Sequence, residues 1–388
     1  MTLRCRFLTA ALGLSLLAVL CAPSDGSAED ARPAFSLLAV GDAGEPRTAS
    51  YPHEIRVAVA RAMAAEARRR PVDAVALLGD NFYPDGLIRE RLVEQLRDNV
   101  VELLCPFVEL ADGAPAALSE VCPVASRSNP VPIFAVMGNH DLNDPGGAAL
   151  QQGELPKLVP NWIMAEDGAR VFEVADGLSV VLVESEPFTA KGAEAKAIRA
   201  KLIAALQASK GPWRILVVHR PVAVGALGTG HTDNWYTRRF AKALAMAEVP
   251  VQLMLSGDQH NLQLIDGRPP APRLNAIAGS GSSLREVGPV HERHLFAAES
   301  PGFVRVDWIR DDAYPRLVVT AYTTHQREGP GFGVPVVAAR WSVDRAVALR
   351  EEQTGVRRAP LDAPPPAEPQ DAAPEPGRPT EHQAAPGG

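Results

Sequence analysis

Seven side chains able to bind metal or move a proton stand directly after short apolar runs in this 388-residue sequence. Asp42 follows Phe35–Val40 within Gly41-Asp42-Ala43-Gly44, and Asp80 follows Val72–Leu78 within Gly79-Asp80-Asn81-Phe82-Tyr83. Asn139 and His140 follow Val131–Met137 within Gly138-Asn139-His140-Asp141. His219 comes directly after Trp213–Val218, and Asp258 and His260 follow Val249–Leu255 within Gly257-Asp258-Gln259-His260. Carboxylate, amide and imidazole are the donors that hold catalytic cations, and this many of them suits a pair of ions about 3.5–4 Å apart. One Asp after a strand is ordinarily a helix cap or a turn. Five such motifs, each carrying a metal-competent side chain, read better as one site.

The elements that must position these residues are legible in the same way. The five runs above and Leu178–Glu184 are rich in Val, Leu and Ile, which suits strands buried on both faces. Between them Glu54–Arg70, Leu87–Leu104, Lys191–Ser209 and Asp233–Met246 carry Ala, Leu, Arg and Glu at helical spacing. Strands alternating with helices predict an α/β fold with a largely parallel or mixed sheet. In such sheets ligands bind outside the carboxyl ends of the strands, where all five motifs fall. Past Leu255 the helical pattern fades, and Arg273–Ala278, Gly302–Trp308 and Arg316–Tyr322 read as further strands.

As an ordered set the motifs resemble the calcineurin-like metallophosphoesterases. More narrowly, they are similar to the small purple acid phosphatases related to the mammalian tartrate-resistant enzyme. Tyr83 marks the purple branch, and Gly138-Asn139-His140-Asp141 and the Asn261-Leu262-Gln263 after His260 fit it. The resemblance covers roughly Phe35 to Tyr322. It implies a four-layer α-β-β-α sandwich of two mixed β-sheets flanked by helices.

It also implies roles. Asp42, Tyr83 and His260 would hold the first metal as Fe(III), since phenolate is a hard donor. Asp80 would bridge. Asn139 and His219 would hold a divalent Fe, Zn or Mn. His140 would stand outside the coordination sphere, stabilising the phosphoryl group or protonating the leaving alcohol. A hydroxide shared by the metals would attack phosphorus in a phosphomonoester. Family members carry His where this chain has Asp258. Asp can ligate Fe, Mn or Zn through oxygen, giving a harder and more anionic site. Two alternatives stay open: a phosphodiester or nucleotide hydrolase, and a catalytically weak phosphate-binding homologue.

A second active-site histidine usually follows the His219 strand in this family, and His231 in Gly228-Thr229-Gly230-His231 is the candidate. His291 and His294 lie in no matching motif and are expected to be solvated. Gly279-Ser280-Gly281-Ser282-Ser283 looks like a phosphate loop but lacks the following Lys, so a turn at the site edge is expected.

Bulk composition narrows the class further. With 46% hydrophobic and 22% charged residues the chain is neither a disordered nor a polytopic membrane protein. A net charge of −7, and a densest basic run, Arg68-Arg69-Arg70, that only closes a predicted helix, argue against a nucleic-acid partner. Arg4, Arg6, the apolar Phe7–Leu20 and Gly26-Ser27-Ala28 read as a signal peptide over 1–28. Its apolar stretch falls short of the roughly 20 residues that span a bilayer. The expectation is a periplasmic or secreted protein with no membrane span after cleavage. Nine of the 35 prolines fall in 359–388, which holds one Leu and no aromatic residue and reads as a disordered tail. Residues 29–358 remain as one metallophosphoesterase domain, a monomer or weak oligomer acting on a small phosphate ester. In an oxidising compartment, Cys105 and Cys122 suggest one disulfide.

Overall fold

A computed structural model describes residues 32–222, 234–267, 270–288, 292–327, 329, 331–344 and 349–351. The expected signal peptide, the expected tail, His231 and His291 lie outside the described residues. The strands are, in order, β1 (Phe35–Val40), β2 (Ala74–Leu78), β3 (Ile133–Val136), β4 (Trp162–Ile163), β5 (Ala169–Ala175), β6 (Leu178–Val183), β7 (Trp213–Val217) and β8 (Leu253–Ser256). They continue with β9 (Leu262–Asp266), β10 (Leu274–Ala278), β11 (His294–Ala298), β12 (Gly302–Ile309), β13 (Arg316–Thr323), β14 (Val336–Asp344) and β15 (Leu349–Glu351). Two sheets result. One has the order β15-β14-β13-β12-β1-β2-β3-β4, the other β11-β9-β10-β8-β7-β6-β5. Both are mixed: β1 to β4 run parallel in the first and β6, β7, β8 and β10 in the second, flanked by antiparallel strands.

Period-two alternation explains the layering. On β1, Leu37 and Ala39 face the second sheet and pack with Val180, Leu182, Ile215, Val217 and Leu255, while the rings of Trp213 and Trp308 meet 4.6 Å apart. Leu38 and Val40 face the other way, onto Ile55, Val59, Ala62 and Met63 of the helix Ser50–Arg69. On the far side, Val181, Val183, Leu216 and Met254 cover the helices Ala193–Ala208 and Asn234–Ala247 through Ile198, Leu202, Phe240 and Leu244. This is the four-layer α-β-β-α sandwich. Strands buried on both faces need apolar residues at every position, so these read as continuous runs.

The expected helix over Leu87–Leu104 is a correction. The segment forms a 3₁₀ turn at Arg89–Arg91, one α-helical turn at Leu92–Leu96 and a π turn at Arg97–Val101. The cause is local. Arg56 donates to the Asp98 carbonyl and to Asn99 Oδ1, and Asn99 in turn donates to the Gly44 carbonyl, so groups inside the segment are bonded outward. The expected disulfide is present: Cys105 and Cys122 are bridged, with Cα atoms 5.4 Å apart.

A buried charge network ties the first helix to the sheet. Arg305 on β12 is 1% exposed; its Nε donates to Asp307 at 2.8 Å, and its Nη1 lies 3.6 Å from Glu66. Arg70 also reaches Glu66 and Asp307. Arg305→Met would leave two carboxylates under-compensated in the interior, at an expected cost of about 3–5 kcal/mol in urea unfolding. A cost below about 1 kcal/mol would show that Arg70 and Arg69, whose Nη2 lies 2.8 Å from Glu66, suffice.

Candidate metal centre

Each candidate residue leaves a strand through a tight reversal. Asp42 follows β1, Asp80 follows β2, Asn139 and His140 follow β3, His219 follows β7, and Asp258 and His260 follow β8. Four of them hold left-handed backbone: Asp42 at φ 56°, Asp80 at 53°, Asp258 at 67° and His260 at 53°. Asp and His visit this region more readily than branched residues, yet each instance still costs of order 1–3 kcal/mol. Such strain concentrates where a side chain must be aimed. Glycine is needed where the loops crowd: Gly79 has φ 89°, and a Cβ at Gly138 would lie 2.2 Å from Asp80 Oδ1.

The side chains converge on Asp80. Its Oδ2 accepts from the Tyr83 hydroxyl at 2.7 Å, and that hydroxyl lies 3.3 Å from both Asp42 Oδ1 and His260 Nε2. Its Oδ1 faces His219 Nε2 at 3.6 Å, and this nitrogen is 3.3 Å from Asn139 Oδ1 and 3.7 Å from Asp258 Oδ1. Two donor groups therefore meet on the two oxygens of one carboxylate: Asp42, Tyr83 and His260 on one side, Asn139, His219 and Asp258 on the other. Donor atoms of Asp42, Asp80 and His219 all lie within 4.8 Å of one another.

The imidazoles are pre-set as donors. His219 Nδ1 is 2.8 Å from the Leu78 carbonyl, which fixes the proton there and leaves Nε2 facing the carboxylates. His260 Nδ1 contacts Ser283 Oγ, so its Nε2 likewise faces Asp42 and Tyr83. His140 is arranged differently. Its backbone N–H donates to Asp80 Oδ1 at 2.9 Å, its Nδ1 is 2.7 Å from the Pro84 carbonyl, and its ring lies 4.4 Å from that of Tyr83. Its Nε2 is left for something other than the donor cluster.

Electrostatics agree with a site built around positive charge. Burial raises the Asp42 carboxyl well above its ordinary range, and Asp80 and Asp258 add to this. Burial alone would depress His219, but Asp80, Asp42, Asp258 and Glu186 raise it to about 10. Burial, then Asp42 and Asp80, push the Tyr83 hydroxyl well above 10, so it stays a neutral phenol unless a cation replaces its proton. His260, buried and near Arg285, is held neutral at about 4. Buried carboxylates that hold a proton on a neighbouring imidazole are a donor set wanting cations, and the residues present fit two.

Supporting residues emerge that the motifs alone do not assign. The Asp141 carboxylate accepts backbone N–H groups of Asn81, Phe82 and Gly138 at 2.9–3.0 Å, locking the Asp80 turn to the Asn139 turn. An acid directly after Gly-Asn-His was the available signal. The glycine-serine segment forms the expected turn: Ser282 donates to the Asp42 carbonyl while Ser283 orients His260. Arg220, beside His219, reaches Asn139 and Asp258. His294 corrects an expectation. It is 6% exposed on β11, with Nε2 3.2 Å from Gln263 Oε1, because the strand pairs with β9 and turns the ring inward.

Glu184, closing β6, has Oε2 on the Met137 N–H, and burial pushes it up to about 8 from 4.5. Between these values the native state holds a proton the unfolded chain has released, so stability falls as pH rises through the window. Below about 4.5 the contribution is fully present. Urea midpoints at pH 5 and pH 8 should differ less in Glu184→Gln than in the unmodified protein. An undiminished gap would place the pH dependence elsewhere.

A buried, two-sided cluster of acid, imidazole, amide and phenol donors at strand ends between two sheets defines a metal-dependent hydrolase. The chain belongs to the calcineurin-like phosphoesterase family, whose model matches residues 35–262, and is accordingly a phosphoric-ester hydrolase. It is 26% identical over 319 residues to purple acid phosphatase 17 of Arabidopsis thaliana, covering 75% of this chain and 81% of that protein. Its fold is similar to that of GAP50, described as the anchor in the inner membrane complex of Plasmodium, with a TM-score of 0.54 at 15% identity over 76% of this chain and 86% of that one. PhoD matches with a TM-score of 0.52 at 12% identity over 82% of this chain and 71% of that one.

Proposed function

We propose that the protein is an exported phosphatase that hydrolyses small phosphomonoesters with two metal ions. The observation that carries this reading is the division of donors between the two oxygens of Asp80, with Tyr83 at 2.7 Å on Oδ2 and His219 at 3.6 Å on Oδ1. Asp42, Tyr83 and His260 would hold Fe(III), and Asn139, His219 and Asp258 a divalent Fe, Zn or Mn. When bound, the cations would supply Lewis acidity toward phosphate oxygens and a water of lowered pKa.

The chain's own residues do the rest. Asp80 fixes the spacing of the two donor groups. The Pro84 carbonyl holds the His140 proton on Nδ1 in the neutral ring, so Nε2 presents a proton to a leaving alcohol only when the ring is protonated. His231, outside the described residues, is the second proton-handling candidate. Export rests on the signal-like 1–28; no helix among the described residues is long and apolar enough to cross a membrane.

The test is hydrolysis of p-nitrophenyl phosphate against bis-p-nitrophenyl phosphate by native protein, together with its colour. The monoester should be cleaved faster, and the protein should be violet through tyrosinate-to-iron charge transfer that Tyr83→Phe removes. Faster diester cleavage would move the assignment to phosphodiesters, and a colourless, fully metallated protein would remove iron from the Tyr83 side.

A further inference from the structure

A cavity of about 550 Å³ stands on the strand edge that carries the metal centre, and none of the metal-donor residues lines it. Ligand pockets commonly fall between about 300 and 1,000 Å³. Strand register fixes its place. β1 ends beside the start of β12, with Ala39 opposite Val304, and β12 starts opposite the end of β13, with Gly302 opposite Thr323. Pro301 and Thr324, joined by a 3.0 Å backbone bond, are the next residues outward, and both line the cavity. β13 lies two strands from β1 in the sheet, about 10 Å at ordinary strand spacing. The segment after β10 bridges this gap: Ser283 touches His260, and Leu284 beside it lines the cavity.

The wall suits hydroxyl groups. Thr324 is 5% exposed, and its buried Oγ1 has no hydrogen-bond partner among the described residues. Gln326 lines the same wall and donates through Nε2 to the Tyr51 hydroxyl at 2.9 Å, while its Oε1 is buried and equally unpartnered. The Ser300 hydroxyl has a contact to the Pro301 carbonyl at 3.4 Å, long for an O–H donor. Unpartnered buried groups carry a desolvation cost that a ligand relieves by bonding them. An anion would accept from the Thr324 hydroxyl but be repelled by the Gln326 oxygen, which only accepts; a ligand hydroxyl both donates and accepts, and so serves both. Charge favours neither sign, since Glu299 lines the cavity together with Arg327 and His325. Leu284, Pro301 and the Tyr51 ring supply apolar surface for C–H groups.

We propose that this cavity receives the far end of the substrate's alcohol, and that the alcohol is a neutral polyol or sugar. The assignment rests on the phosphatase reading above. It is tested on metal-loaded holoenzyme with glucose 6-phosphate, 3-phosphoglycerate and p-nitrophenyl phosphate as substrates, and by calorimetric titration with inorganic phosphate. Glucose 6-phosphate should show a KM about 10-fold or more below that of 3-phosphoglycerate, whose far end is anionic. Thr324→Val combined with Gln326→Leu should raise the glucose 6-phosphate KM about 10- to 100-fold. The p-nitrophenyl phosphate KM and the inorganic phosphate Kd should stay within about twofold, because neither ligand brings a hydroxyl to the cavity. Ser300→Trp, which fills the space and leaves both unpartnered groups in place, should raise the glucose 6-phosphate KM likewise and serves alone if the double variant does not fold. A glucose 6-phosphate KM within about twofold of the unmodified protein in either folded variant would overturn the assignment. So would an equal rise for p-nitrophenyl phosphate in the double variant, or a lower KM for 3-phosphoglycerate than for glucose 6-phosphate. A holoenzyme that cleaves p-nitrophenyl phosphate but not glucose 6-phosphate would overturn the assignment and leave the phosphatase reading standing. One that cleaves none of the three would overturn both.

Discussion

Asp80→Ala should abolish turnover, lowering kcat by about 10⁴-fold or more, equivalent to ~5.5 kcal/mol of transition-state stabilisation. Asp80 faces both donor groups with its two carboxylate oxygens. Its Oδ2 takes the Tyr83 hydroxyl and its Oδ1 takes the His140 N–H and faces His219. Although Asp80 is deeply buried, His219, the Tyr83 hydroxyl and the His140 N–H hold its carboxyl below the ordinary range, so it is anionic and ready to bridge. Removing it takes away the carboxylate that both sides share. Metal analysis should show fewer ions per chain than in the unmodified protein. Full activity in Asp80→Ala would contradict both the site and its assignment to phosphoester chemistry.

The second large effect belongs to His140 and depends on the leaving group. A general acid contributes typically about 10²–10⁴-fold, and most of it is needed where the departing oxygen is strongly basic. His140→Ala should therefore lower kcat by about 10²–10⁴-fold on an alkyl phosphate such as glycerol phosphate. On p-nitrophenyl phosphate the loss should be much smaller, because nitrophenolate leaves without a proton. Equal losses on both substrates would show that the ring acts instead by packing 4.4 Å from Tyr83.

Much of this site was legible in the sequence because its parts are local. A strand buried on both faces is a continuous apolar run, and a metal ligand at its carboxyl end is an Asp, Asn or His immediately after it. Asp42, Asp80, Asn139, His219, Asp258 and His260 were each readable that way, and the structure brings them together. Edge strands were harder. β5 reads Ala-Arg-Val-Phe-Glu-Val-Ala and is half-exposed, and β14 is similar, so neither makes an uninterrupted run. β9 begins two residues after His260, with no turn signal to separate strand from motif.

What remained hidden depends on contacts between distant segments. His294 looked solvated because nothing in its own neighbourhood says that β11 pairs with β9. The broken helix at 89–101 follows from Arg56, about 40 residues upstream, bonding the Asp98 carbonyl. Arg220 was visible only as the neighbour of His219. Its contacts emerge only when Glu186, Asn139 and Asp258 arrive from other parts of the chain.

The central claim is that two cations occupy the two sides of Asp80. Elemental analysis of the native protein tests it most directly. The account predicts two metal ions per chain, one of them iron, with Asp80→Ala reducing the total. A native protein that is fully active with one ion per chain or none would contradict it.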